Sequence, residues 1–142
     1  MSAQVDMELT LPADPGSLEQ VHNLLTEFLD GCADLGMHER IRFETAIMEI
    51  ANNVAEYVNT DVFTLTLADT GADLRALFRD AGPPLPFDPA QRKLPDEMAE
   101  SGRGIALACA AVDEVNYRHE NHQNLWRLVL HRDAEHTRGA GG

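Results

Sequence analysis

A long helical pattern in the middle of the chain constrains the fold more than any other feature. From about His38 to Val58, apolar residues recur at steps of three and four, which is the period of an amphipathic helix. This apolar stripe consists of Phe43, Ile47, Ile50, Val54 and Val58. We therefore expect the helix to bury this stripe against another layer of secondary structure.

A second stripe follows the same helix, one residue step (about 100°) round its axis. It consists of Arg42, Ala46, Glu49, Asn53 and Tyr57. Glu49 and Asn53 thus lie one turn apart at the edge of the buried face. A glutamate accepts a proton or orients a water, and an asparagine oxygen is a hard ligand that suits Mg²⁺. The same pair also fits an ordinary solvated helix flank, and the motif alone favours that second interpretation.

The length and composition narrow the class of protein. The 142 residues fit one domain over 1–132, followed by a flexible tail over 133–142. A net charge of −13 argues against binding to nucleic acid, whose phosphates need a basic surface. The chain lacks the apolar run of a membrane span and the pattern of a secretory signal. Cys32 and Cys109 lie in apolar helical surroundings, which predicts reduced core thiols in a cytoplasmic protein.

Alternating apolar and polar residues predict five strands around the helical segments. These strands are centred on Val5–Leu11, Phe63–Leu67, Leu74–Phe78, Val112–Tyr117 and Trp126–Leu130. A capping box of Ser17 and Gln20 predicts the start of a first helix, and a third helical run spans Ile105–Val112. The order predicts a two-layer α/β sandwich, in which a mixed, mostly antiparallel five-stranded sheet carries about three helices on one face.

Asp80 ends the third predicted strand on its covered face. It has the same parity as Leu74, Ala76 and Phe78, so its carboxylate points inward, where an unpaired charge is costly. A ligand amino group such as that of adenine would satisfy it, and so would backbone N–H groups of a following turn. The aspartate alone favours the turn.

The segment from Pro84 to Ser101 breaks regular structure. It contains three further prolines and several acidic residues, and a loop of this length inside a small domain is usually functional or disordered. We interpret it as a mobile lid; the alternative is a loose surface loop. Gly102-Arg103-Gly104 then opens the next helical run. Glycines at a helix start let N–H groups approach an anion, and Arg103 adds a positive charge, although a tight packing turn has the same pattern.

Three motifs in this order carry a family resemblance. They are E-x-x-x-N in a helix (Glu49, Asn53), D-x-G after a strand (Asp80, Gly82) and G-x-G at a helix start. With them the sequence resembles the GHKL (Bergerat-fold) ATPases and, among these, the small bacterial anti-sigma-factor serine kinases of the RsbW type. The resemblance spans roughly Val5 to Arg132, which is almost the whole chain.

The resemblance implies ATP and Mg²⁺ as cofactors and assigns roles to individual residues. Glu49 would be the general base or water-orienting residue, Asn53 would bind Mg²⁺ between phosphate oxygens, and Asp80 would receive the adenine amino group. The implied cofactor-binding set is Asn53, Tyr57, Asp80, Gly82, Ser101, Gly102, Arg103 and Gly104.

The resemblance also implies a regulatory cycle. Relatives phosphorylate a serine, sometimes a threonine, on a STAS-fold anti-anti-sigma protein. This releases the antagonist, and the kinase then binds and silences a sigma factor. We therefore expect an ATP-dependent protein serine/threonine kinase and anti-sigma factor that acts in the cytoplasm as a homodimer. The alternative is a catalytically weak or inactive nucleotide-binding switch module that regulates a partner by docking alone.

Some positions depart from the family pattern and favour that alternative. Tyr57 stands where many relatives have histidine, and Glu100 stands where some carry arginine. Pro84 replaces a glycine, and Gln123-Asn124 replaces the Gly-Thr that often precedes the last strand. The Glu49–Asn53 pair is retained, so an active kinase remains the leading expectation.

Overall fold

A five-stranded sheet forms one layer of the fold, in a computed structural model that describes residues 5–57, 61–86 and 99–132. Its strands are β1 (Val5–Pro12), β2 (Val62–Asp69), β3 (Asp73–Asp80), β4 (Glu114–Glu120) and β5 (Gln123–His131). The helices are α1 (Leu18–Asp30), α2 (Met37–Tyr57) and α3 (Ala99–Ala111), and a single 3₁₀ turn (Pro15–Ser17) precedes α1. The predicted α/β sandwich is confirmed.

The sheet is antiparallel in all four ladders that the described residues form. The strand order is β1-β2-β3-β5-β4, so the parallel component of the predicted mixed sheet is absent from this part of the chain. β2 and β3 form one hairpin, and β4 and β5 form another. In the second hairpin Asn121 and His122 both have positive φ, 52° and 62°, as the central residues of a type I′ turn require.

The core lies between the covered face of the sheet and α2. Leu65, Phe78 and Trp126 stand side by side across three strands, and each is at most 2% exposed. From α2, the four described residues of the apolar stripe are fully buried: Phe43, Ile47, Ile50 and Val54. The fifth predicted member, Val58, lies outside the described residues. The residues that recur at helical spacing in the sequence are thus the residues that α2 buries in the core.

Two local predictions, those for Ser17 and Cys109, differ from the structure. Ser17 forms no capping box with Gln20, because its hydroxyl donates to the Pro12 carbonyl at 2.6 Å and the 3₁₀ turn leads directly into α1. Cys32 is buried, and burial raises the pKa of its thiol to about 12. Cys109 is instead exposed on α3, since the helical run faces the core with Ile105 and Ala108.

Other predictions fall outside or at the limits of the described residues. Most of the predicted lid (87–98) and the predicted tail (133–142) are not among them. The fourth strand starts at Glu114, and Val112 follows directly on the end of α3. Within the described ranges, every helix is too short or too polar to cross a membrane.

Truncation of the α2 stripe tests the core. Ile47→Ala removes a fully buried side chain and leaves a cavity, so it should lower the free energy of unfolding by about 2–5 kcal/mol in a denaturant titration. Ile41→Ala is the matched control, because Ile41 is on the same helix and 55% exposed; it should change stability by at most about 0.5 kcal/mol. Equal effects of the two substitutions would contradict the assigned core face.

Candidate functional site

The second stripe of α2 forms the contact with α3. Arg42 donates from Nε to the Ala111 carbonyl at 2.8 Å, where a positive charge meets the negative end of the helix. Ala46 is fully buried, and Glu49 reaches Gly104. Because Arg42 meets the end of α3 and Glu49 meets an earlier turn, the two helices are antiparallel. The polar edge of α2 therefore faces α3 and is not an ordinary solvated flank.

Glu49 is packed against the backbone of α3 at Gly104. A Cβ built on Gly104 would lie 2.6 Å from Oε1 of Glu49, which is closer than any side chain tolerates. The absence of a side chain at this position leaves the room that the carboxylate takes. The structure thus gives Gly104 the packing role that the sequence left as an alternative.

The sequence predicts that the two glycines lie at the start of the third helix, and this prediction is wrong. The helix starts at Ala99, so Gly102 and Gly104 lie inside it, and the N–H of Gly104 is directed along the helix to a carbonyl one turn earlier. The segment after Pro95 contains no further proline, so nothing prevents the helix from extending in that direction. An α-helix offers no carbonyl partner of its own to the N–H groups of its first turn.

Asn53 brings a buried oxygen to the site without a hydrogen bond. Its side chain is 3% exposed, and its Oδ1 has no partner among the described residues. Leaving such a group unpaired costs about 1–3 kcal/mol, and native proteins retain such a cost mainly where a ligand satisfies the group.

Asn53 could bind a cation only if other groups, such as those of a bound phosphate compound, complete its coordination. No cluster of three or more histidine, cysteine or acidic side chains capable of holding a metal is found within the described ranges. An amide oxygen is a good ligand for Mg²⁺, which commonly completes its coordination with phosphate oxygens and waters. The residues present therefore fit a magnesium ion that arrives with a phosphate compound.

Asp80 is buried on the covered face, as predicted, and is 5% exposed. The backbone N–H of Gly82 donates to its Oδ1 at 2.8 Å, and Nδ2 of Asn124 donates to the same oxygen at 2.9 Å. The turn interpretation therefore accounts for Oδ1. Within the described residues both of these hydrogen bonds end on Oδ1, and neither involves Oδ2.

Asn124 is the site residue that the sequence reading missed. It is 2% exposed, and its Nδ2 also lies 3.3 Å from the Gly82 carbonyl oxygen and 2.7 Å from that of Pro83. The parity argument that located Asp80 applies equally here, because Asn124 has the same parity along β5 as Trp126, Leu128 and Leu130. A polar residue at an inward position of β5 was the available signal.

Tyr117 extends this network to the far side of the turn. Its hydroxyl donates to Oδ1 of Asn124 and accepts from the backbone N–H of Leu85 at 2.9 Å. Burial raises the pKa of the Tyr117 hydroxyl, and the negative charge of Asp80 raises it further, so the hydroxyl keeps its proton and can donate. The turn from Asp80 to Leu85 is thereby tied to the β4–β5 hairpin.

The remaining predicted residues lie around these groups. Gly82 is buried in the turn and Arg103 is exposed on α3. Tyr57 ends α2 and Ser101 lies in the first turn of α3; their side chains are outside the described part of the structure. A cleft of about 200 Å³ adjoins Asp80, and none of its lining residues comes from α2.

Comparisons with known proteins agree with this architecture. The profile of a family described as the histidine kinase-like ATPase domain matches residues 11–130. A solved structure of the RsbU and RsbW domains of a Mycobacterium tuberculosis protein superposes with a TM-score of 0.64 at 22% identity, which shows a shared fold. The match covers 90% of this chain and 32% of that one, so the chain spans about a third of its length. No curated protein matches the sequence.

Replacement of Asn53 tests whether its buried, unpaired oxygen lowers the stability of the ligand-free protein. Asn53→Leu removes the unpaired oxygen and keeps the number and branching of the side-chain heavy atoms, so thermal or denaturant unfolding without ligand should show equal or higher stability, by up to about 1–3 kcal/mol. Asn52→Leu is the control, because Asn52 is the exposed neighbour on the same helix. A loss of several kcal/mol from Asn53→Leu would instead show that the amide is a structural partner.

Proposed function

The chain belongs to the histidine kinase-like ATPase domain family, and from that membership we propose that it is an ATP-dependent protein serine/threonine kinase that also acts as an anti-sigma factor. ATP binding follows from the family itself. The proposed substrate is a serine or threonine hydroxyl on a STAS-fold anti-anti-sigma protein, in a partner-switching pathway of the cytoplasm. The shared fold with a structure described by its RsbU and RsbW domains supports this choice within the family.

The pairing of Glu49 and Asn53 on one face of α2 carries the proposal. Phosphoryl transfer needs mainly positioning and neutralisation of charge. Bound Mg-ATP supplies the phosphoryl group and the metal charge that neutralises it. The orphaned Oδ1 of Asn53 is suited to hold the cation. The carboxylate of Glu49, one turn away, is suited to accept the proton of an attacking hydroxyl.

The other proposed contacts surround this pair. Oδ2 of Asp80 would accept the adenine amino group, with Gly82 allowing a close backbone approach. The unpaired N–H groups in the first turn of α3, with Ser101 and Gly102, would face the phosphates, because the positive end of a helix favours anions. The proposed set is completed by Arg103, Gly104 and Tyr57.

The partner switch rests on competition. A sigma factor and the STAS-fold antagonist would compete for the same chain, and phosphorylation would remove the antagonist by lowering its affinity. The net charge of −13 is compatible with docking onto a basic partner surface. We include a homodimer in the proposal, as the resemblance implies.

One observation favours the docking-only alternative. Gly104 lies inside α3 and is packed against Glu49, so the phosphate cradle that the G-x-G motif predicts is not formed in this arrangement. An active kinase must open this contact when nucleotide binds. A switch module that only docks would not need to.

Glu49→Gln separates the two functions. It keeps the shape of the side chain but removes the base, so ATP affinity measured by calorimetry should persist while transfer of labelled phosphate to the STAS-fold partner falls by about 10²–10⁴-fold. Glu44→Gln, on a different face of α2, is the control and should transfer at the wild-type rate. Wild-type transfer by Glu49→Gln would show that the base is another group. ATP binding without any transfer by the wild type would favour the docking-only module.

Gly104→Ala tests the contact between Glu49 and α3. The new Cβ would meet the end of a flexible side chain, so Glu49 can swing away, and alanine is favoured over glycine in a helix by about 1 kcal/mol. Stability in a denaturant titration should therefore stay within about 1 kcal/mol of wild type, while phosphate transfer falls at least tenfold, because alanine favours the closed helix over the opened segment that would cradle the phosphates. Gly31→Ala, which adds the same methyl at an ordinary contact distance, should leave transfer unchanged. Unaltered transfer by Gly104→Ala would show that the reaction does not require the helix to open at Gly104.

A further inference from the structure

The hydrogen bonds around the turn after β3 all have the same direction. The N–H of Leu85 donates to the Tyr117 hydroxyl, that hydroxyl donates to Oδ1 of Asn124, and Nδ2 of Asn124 donates to Oδ1 of Asp80. Each group thus donates to the next, and this series of hydrogen bonds ends on the Asp80 carboxylate. In such a chain every bond polarises its neighbour in the favourable sense.

The direction of the chain fixes the orientation of the Asn124 amide. An amide can rotate by 180° and exchange its oxygen and nitrogen. Here the Tyr117 hydroxyl accepts from Leu85 and donates its single proton to the oxygen side of the amide. The NH₂ side must then face Asp80 and the carbonyls of Gly82 and Pro83. A flipped amide would bring two acceptors together at Asp80.

We propose that Asn124 and Tyr117 are positioning residues that make the Asp80 site selective for a purine with an amino group at C6. Together with Gly82, Asn124 occupies Oδ1 of Asp80 with donors and holds Oδ2 as the acceptor that a ligand meets. Adenine presents an amino donor where guanine presents a carbonyl oxygen. An acceptor held in place there binds the first and repels the second. This inference rests on the proposed nucleotide site.

The network also accounts for two departures from the family pattern. Asn124 stands in place of the Gly-Thr that often precedes the last strand, and the Pro83 carbonyl, in the stiffened turn, accepts from its amide at 2.7 Å. The side chain of Asn124 is large enough to reach the turn and Asp80 at once. The pair Asn124 and Pro83-Pro84 is then one arrangement in which each part needs the other.

The test compares the affinities of Mg-ATP and Mg-GTP by calorimetry. Tyr117→Phe is the main variant, because it removes only the hydroxyl and keeps the ring that packs on Trp126 with centroids 4.9 Å apart. Asn124→Asp is the second variant, since it replaces the donor by an acceptor with little change of shape. Asn116→Asp is the control, because Asn116 is an exposed residue on the same strand, β4, as Tyr117.

We expect wild type to prefer ATP, and each of the two site variants to lower the ratio of ATP affinity to GTP affinity by about tenfold, which is the net contribution of about one hydrogen bond. Asn116→Asp should leave the ratio unchanged. An equal loss of both nucleotides, or an unchanged ratio in Tyr117→Phe, would overturn the positioning role while the nucleotide site stands. Failure of wild type to bind either nucleotide would overturn the proposed function and this inference with it. If Asn124→Asp does not fold, Tyr117→Phe decides alone.

Discussion

The packing of α2 on the covered face of the sheet determines where every other group of the site can lie. Phe43, Ile47 and Ile50 are fully buried, so the rotation of the helix about its axis is fixed by the core. A helix whose apolar stripe is held in this way must direct its neighbouring stripe to one side, at about 100°. In this protein that side is occupied by α3. The positions of Glu49 and Asn53 are therefore consequences of hydrophobic burial, and the chemistry depends on the core for its precision.

Three polar side chains of the candidate site are buried, against the general tendency of their residue types. Asp80, Asn124 and Asn53 are each at most 5% exposed, although asparagine and aspartate are rarely buried. The first two satisfy each other, whereas Oδ1 of Asn53 does not find a partner within the described residues. A small domain has only about 5–15 kcal/mol of net stability, so these groups represent a considerable cost. Ligand binding is the physical reason that we assign to it.

Most of the fold could be predicted from the sequence, because apolar residues recur with the period of a helix or of a strand. The step of three and four in α2 and the alternation in β2, β3 and β5 report directly which side chains the core takes up. Ser17 shows the limit of this approach: its hydroxyl could accept from an N–H at the helix start or donate to a carbonyl, and beside the 3₁₀ turn it donates to Pro12. Cys109 shows the same limit, since a run rich in alanine has no strong face.

The site could be predicted where a residue acts alone, and not where it acts through a partner. Glu49, Asn53 and Asp80 were found from motif and parity. Asn124 has the same parity signal, but its importance lies in the three acceptors and one donor that converge on its amide, and convergence is a property of the folded chain.

The same contrast governs α3. A G-x-G motif predicts glycines at a helix start, yet a glycine is also needed wherever a neighbouring side chain takes the place of a Cβ. Gly104 meets the second condition through Glu49. Glycine in a helix costs about 1 kcal/mol relative to alanine, and such a small cost allows a helix to lose a turn when a better partner for its N–H groups appears. In the proposed kinase, the two interpretations of the motif would be two states of one segment. Nucleotide binding would have to break the contact between Gly104 and Glu49 to reach the state in which the glycines open the helix.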